Sequence, residues 1–229
     1  MTIRICFAMF AGISLLLSGC ASPPEKPNYS QFRTENPRSV LVVPAINRSV
    51  DVNAPDFLLS TITVPIVERG YYVFPVRLVQ SAMQENGLND ADMVHQNDPI
   101  RLGKLFNADS ILYITIERWD ARYAVLSTTT TVGLSYILKS AKTGELLWHN
   151  KQEFVYNPQQ NNSGGIAGLI INMAVAAMEK GSPNYIPLAR QANAHAVHQE
   201  KYQRPAGYGL PAGPYDSQYN TDSADYPKR

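Results

Sequence analysis

The run SVLVVPA, from Ser39 to Ala45, is apolar at nearly every position. A strand with one wet face alternates apolar and polar residues. A continuous apolar run instead suits a strand buried on both faces, which requires a sheet with helices on either side. Pro44 is expected to close the strand. The pattern that follows fits the same architecture. Asn53-Ala54-Pro55-Asp56 reads as a helix start, with Asn at the cap, and Leu58, Leu59, Ile62 and Ile66 fall at helical spacing. Pro65 is expected to kink or shorten this helix and Gly70 to end it. Tyr71 to Val76 reads as a second strand.

Leu78 to Glu85 reads as a helix closed by Asn86-Gly87, and Asp98-Pro99 opens another with Leu102, Leu105 and Phe106 on one face. Ser110 to Trp119 is a third strand. Tyr123 to Leu138 alternates, with Leu126, Thr128, Thr130, Val132, Leu134, Tyr136 and Leu138 sharing a face. Lys142-Thr143-Gly144 turns the chain into a last strand that places Leu146, Trp148, Phe154 and Tyr156 together. Helical connections imply parallel pairing in the first half and tight turns an antiparallel meander in the second. The expected fold class is α/β, a mixed parallel and antiparallel sheet with helices packed on its faces.

The N-terminus has a separate purpose. Arg4, the apolar stretch Ile5 to Leu17, and the small pair Ser18-Gly19 before Cys20 have the layout of a secretory signal. Leu17-Ser18-Gly19-Cys20 resembles the lipobox of bacterial lipoproteins, in which the cysteine thiol becomes a thioether to diacylglycerol. A chance cysteine behind an ordinary signal peptide is the alternative. Each buried methylene of an acyl chain contributes roughly 0.8 kcal/mol, so two or more chains hold a protein on a membrane where one does not. Residues 1–19 are therefore expected to be removed, and Cys20 to be lipidated, with palmitate among its acyl chains. The residue after it is Ala21 rather than an aspartate that would favour inner-membrane retention, so the outer membrane, facing the periplasm, is the expected site.

Cys6 leaves with the signal and Cys20 is acylated, so no disulfide or thiol catalyst is expected. Of twenty Lys and Arg, Arg4 also leaves; nineteen remain against nineteen Asp and Glu. With no basic stripe, nucleic acid is not an expected partner. The expected organisation is an acylated cysteine and proline-rich tether over 20–37, one α/β domain over 38–202, and an extended or disordered Tyr/Gly/Pro-rich tail over 203–229 that adds nothing to core stability.

Several short patterns invite a chemical reading. Lys142-Thr143-Gly144 matches one element of penicillin-binding enzymes, yet no Ser-x-x-Lys accompanies it, and a hairpin turn is the simpler reading. His195 and His198, with Glu200 beyond, lie on a predicted helix from Pro187 to Lys201, but two histidines lack a third ligand; His95 and His149 stand alone. No metal, cofactor or catalytic residue is expected. The loop Asn47, Arg48, Ser49, Asp51 and Asn53 follows the first strand, and ligands of open α/β sheets favour such carboxyl ends. It is the candidate ligand or partner loop, the alternative being that these residues cap the next helix and solvate a turn. Ile166 to Met178 carries no charge, is too short to span a bilayer, and contains the small residues Ala167, Gly168, Ala174, Ala176 and Ala177. Ile166, Leu169, Ile170 and Met173 are its candidate homodimer interface, with burial in the monomer core as the alternative.

Val40 to Pro44, Val52-Asn53-Ala54, Glu68 to Val73 with Pro75-Val76, and Gln84 to Leu88 resemble a family of small uncharacterised proteobacterial lipoproteins that includes a neisserial surface antigen. Phe106 to Asp109, Asn161 to Gly165 and Gly213-Pro214-Tyr215 extend the resemblance over nearly the whole mature chain. It implies a fold similar to the N-terminal domain of TolB and a dimer. It also implies a non-catalytic part in envelope transport, secretion or assembly beside a lipoprotein similar to the curli-secretion pore. Thr143 to Trp148 also looks like a hairpin of that secretion group. A periplasmic small-ligand binder using loop 47–53 is the alternative function, with a hydrolase of unrecognised site behind both.

Overall fold

In the computed structural model, the structure describes residues 28–124, 127–156, 185–198 and 208–224, and the side chains of all of these except 121–130, 154–156 and 223–224. Six strands form one sheet: β1 (Ser39–Val42), β2 (Ile46–Asn47), β3 (Tyr72–Val73), β4 (Ser110–Ala124), β5 (Ser127–Ser140) and β6 (Leu146–Tyr156). Their order is β3-β1-β4-β5-β6, with β2 also on β4. β1 pairs in parallel with β3 and β4, whereas β4, β5 and β6 are antiparallel. The mixed sheet expected from the order of elements is therefore present.

β1 shows why its apolar run has no polar break. Val40 and Val42 point into one core with Leu112, Ile114 and Ile116 of β4, while Leu41 and Val43 point into a second with Ile111 and Tyr113. The first core is closed by α2 (Ala54–Glu68) and α6 (Ile186–Val197), and the second by α3 (Val76–Glu85), α4 (Ala91–Gln96) and α5 (Pro99–Phe106). Leu58, Ile62 and Ile66 of α2 are fully buried, each contributing roughly 1.5–3 kcal/mol. Pro65 sits inside α2 without ending it. Asn53 does not cap this helix through its side chain; Asp51 Oδ1 accepts from the Asn53 N–H at 2.9 Å instead.

Asn193, wholly buried on α6, locks the two helices of the first core. Its amide donates to Leu58 O (2.8 Å) and Thr61 Oγ1 (2.9 Å), and its carbonyl accepts from Tyr136 Oη (2.9 Å).

Several expectations need correction. Tyr123 belongs to β4, because the antiparallel pairing of β4 with β5 runs on to Ala124↔Ser127. Leu146 is exposed, because a register shift opposite Leu138 and Lys139 turns Leu147 and Trp148 inward together. Leu105 is also exposed, so α5 buries Leu102, Gly103 and part of Phe106 instead. α4 was not anticipated; Asp90 caps it by accepting from Asp92 N at 2.8 Å and Met93 N at 3.3 Å.

The expected boundaries of the domain also move. The stretch assigned to the tether contains α1 (Ser30–Glu35), which buries Tyr29 and Phe32 against the first core. The stretch assigned to the tail contains residues 208–224, whose Leu210 and Ala212 are buried and which end in a short 3-10 turn over Thr221–Ala224. These pieces lack helical or strand periodicity, so sequence patterning does not reveal that they pack.

Candidate functional site

Loop 47–53 leaves the carboxyl end of β2, which is held beside β4 by the Arg48 N–H to Ile116 O bond at 2.9 Å. Its polar groups turn inward on one another. Asn47 Nδ2 donates to Asp51 O (2.8 Å), and Asn47 Oδ1 accepts from Ser49 N (3.0 Å) and Ser49 Oγ (2.7 Å). Arg48, mostly exposed, reaches Glu117 at 3.7 Å. Val50 and Val52 project into solvent. The structure thus brings the five predicted residues together, with Asn47, Ser49 and Asp51 bonded to one another or to the Asn53 N–H, while the Arg48 and Asn53 side chains stay exposed.

A polar cluster that sequence reasoning missed lies at the end of α2. Arg69 is buried and donates through Nε to Leu210 O (2.7 Å), through Nη1 to Gln218 Oε1 (3.0 Å) and through Nη2 to Asp222 Oδ2 (3.4 Å). Asp216 adds a carboxylate at 3.6 Å. Asp222 Oδ1 accepts from Arg33 of α1 at 2.9 Å, and Oδ2 accepts the Ala212 N–H at 2.7 Å. Backbone bonds join the same pieces, Gly213 N to Arg69 O (2.8 Å) and Tyr215 N to Gly70 O (3.1 Å). Gly70 has φ +81°, and the backbone of Asp216 occupies the space a Cβ would need; at Gly213 a Cβ would strike Gly70 O. Two motifs far apart in sequence, Glu68-Arg69-Gly70 and Gly213-Pro214-Tyr215, therefore meet. That both carry glycine beside polar residues was the available signal.

The second core holds a smaller cluster. His95 Nε2 lies 2.9 Å from Pro44 O, and its ring meets Tyr113 edge-on at 5.1 Å. Burial holds the His95 pKa below its usual 6.5, partly opposed by the Pro44 hydrogen bond and Asp92. Burial also pushes Tyr113 up to about 12, assisted by Asp98, and its hydroxyl has no hydrogen-bond partner. A cleft of about 350 Å³ at the strands β4 to β6 is lined by Glu117, Arg118, Gly133, Leu134, Lys151, Gln152 and Glu153. Arg118 donates to Asp120 at 2.9 Å, which raises its pKa, and to Glu153 at 3.4 Å.

The remaining sequence candidates are dispersed. Lys142 and Thr143 lie in the β5–β6 turn, where their N–H groups each donate to Ser140 Oγ at 3.1 Å. His195 faces Gln152 Oε1 at 3.3 Å, whereas His198 faces Glu68 Oε2 at 3.1 Å, so the two imidazoles engage different elements. Among the described residues no three His, Cys, Asp or Glu side chains are grouped to hold a metal, and no helix is long and apolar enough to cross a membrane. Cys20 and the segment with Ile166, Leu169, Ile170 and Met173 lie outside the described residues.

Comparison with known proteins places this architecture. The chain is 32% identical over 165 residues to Putative lipoprotein NMB1124/NMB1162 of Neisseria meningitidis serogroup B, which covers 71% of this chain and 77% of that one. It is also similar to the crystal structure of lipoprotein GNA1162 from Neisseria meningitidis, with a TM-score of 0.53 and 32% identity over 63% of this chain and 99% of that one. Residues 27–208 match the model of the family described as "Putative lipoprotein GNA1162-like", and the chain belongs to that lipoprotein family.

Proposed function

We propose that this chain is a lipid-anchored lipoprotein of the outer membrane, facing the periplasm, that acts as a non-catalytic component of an envelope transport, secretion or assembly system. Acyl chains on Cys20, palmitate among them, supply the anchor. Membership of a lipoprotein family supports the envelope assignment. The observation that carries the non-catalytic reading is the self-closed loop 47–53. Asn47 and Ser49 bond each other and the Asp51 carbonyl, so a ligand there would have to break existing bonds before making its own. This also disfavours the alternative reading of a small-ligand binder.

The partners of this reading are a second copy of the chain and a lipoprotein similar to the curli-secretion pore. Two measurements test it. Cys20→Ser should leave the protein unprocessed or soluble and free of palmitate label; unchanged membrane fractionation and labelling would overturn the anchor. The full chain, purified from detergent-solubilised membranes, should carry the secretion-type lipoprotein with it, and its consistent absence would overturn that partner.

A further inference from the structure

α4 has six residues, too few to be stable as a helix by itself, and Val94 is its one buried residue. Asp90 caps its start, but those bonds are internal to the helix. Among the described residues, the one side-chain hydrogen bond that joins α4 to another element runs from His95 Nε2 to Pro44 O, at 2.9 Å. Pro44 lies between β1 and β2. α4 packs against β2, which leads directly into loop 47–53.

That bond fixes the tautomer of His95. A carbonyl only accepts, so Nε2 carries the hydrogen and the neutral ring leaves Nδ1 bare. A second proton must go on Nδ1, and among the described residues no acceptor faces it. The surroundings oppose the proton too. The imidazole lies edge-on to Tyr113 of β4, with 5.1 Å between centroids, and the Lys139 ammonium of β5 sits 5.6 Å over the same tyrosine ring. Asp92, exposed on α4, is the carboxylate that favours the cation, whereas Asp98, ahead of α5, acts on Tyr113. Burial outweighs both Asp92 and the Pro44 bond, so the folded site resists a proton that a solvated imidazole accepts. Opening also brings a gain, because the Tyr113 hydroxyl, buried without a partner, would reach water. We propose that His95 is a latch released by protonation: the imidazolium leaves the Pro44 carbonyl for water, α4 lifts from β2, and the entry to loop 47–53 loosens while the rest of the sheet stays folded.

Amide hydrogen exchange of the full chain in detergent tests this at about pH 7.5 and about pH 5.5, each rate referred to the intrinsic rate at that pH. The Val94 N–H, bonded to Asp90 O at 3.1 Å, and the Asn97 N–H, bonded to Val94 O at 3.1 Å, report on α4. The Arg48 N–H, bonded to Ile116 O at 2.9 Å, reports on the loop entry. Protection of all three should fall about three- to tenfold at the lower pH, the ceiling being set by an exposed imidazole that titrates at 6.5. The amides of Ile111 to Ile114 in β4 should keep theirs. His95→Gln retains an N–H donor and should hold α4 protection level. Lys139→Gln removes the nearby cation and should make the fall smaller, because the folded site then takes the proton more readily. Level protection in the wild type, or an equal fall in His95→Gln, overturns the latch. An equal fall in β4 marks global unfolding, and overturns the latch while leaving the effect of His95 on overall stability standing. A fall confined to α4 overturns the link to the loop.

Discussion

Asp222, on the last turn of the described chain, lies 3.4 Å from the Nη2 of Arg69 at the end of α2, and both side chains are almost wholly withdrawn from water. The same carboxylate holds Arg33 of α1 at 2.9 Å. One residue near the C-terminus thereby ties down the first helix, the end of α2 and the loop through Ala212. Removing one partner of a buried pair strands the other charge, at about 3–5 kcal/mol. Asp222→Ala should lose stability in that range by urea denaturation, and truncation after residue 207 should be at least as damaging. A truncated chain that melts with the intact one would refute the assignment of this segment to the core.

Tyr113 presents the opposite case. Its hydroxyl is buried without a partner, and an unsatisfied buried polar group costs about 1–3 kcal/mol. The ring itself packs between His95 and the Lys139 ammonium, which lies 5.6 Å from its centroid. Tyr113→Phe keeps the ring and removes the orphaned oxygen, so it should stabilise the protein by about 1 kcal/mol. Equilibrium denaturation of the two chains measures this directly, and a clear loss of stability in the variant would contradict it.

His95 gives the fold a pH dependence of known sign. Burial is the largest influence and lowers its pKa below 6.5; Lys139 lowers it further, while the Pro44 carbonyl and Asp92 raise it. The unfolded chain therefore binds this proton more readily than the folded one. The neutral imidazole's contribution is intact above 6.5 and is lost as pH falls through 6.5 toward the lower folded value. His95→Gln retains an N–H donor for Pro44 O without titrating. Its stability should decline less than that of the wild type between about pH 7.5 and about pH 5. Parallel curves for the two proteins would show that His95 is not the group responsible.

The sequence by itself determined the sheet and its class. Burial on both faces is written in SVLVVPA, period-two alternation in β4 to β6, and helix starts in Asp98-Pro99 and the residues after Asn53, because these depend on neighbours within a few positions. It also marked the polar loop 47–53, since a strand end is recognisable locally. Tertiary structure alone decided the rest. Whether that loop's donors face outward or bond one another depends on angles that spacing does not encode. Leu147 replaces Leu146 in the core because of a one-residue shift between two strands. Arg69 and Asp222 are separated by 153 positions, and nothing in either neighbourhood requires the other. Their meeting arises only when α1, the end of α2 and the C-terminal segment converge, and a buried arginine then needs a carboxylate from whichever part of the chain arrives beside it.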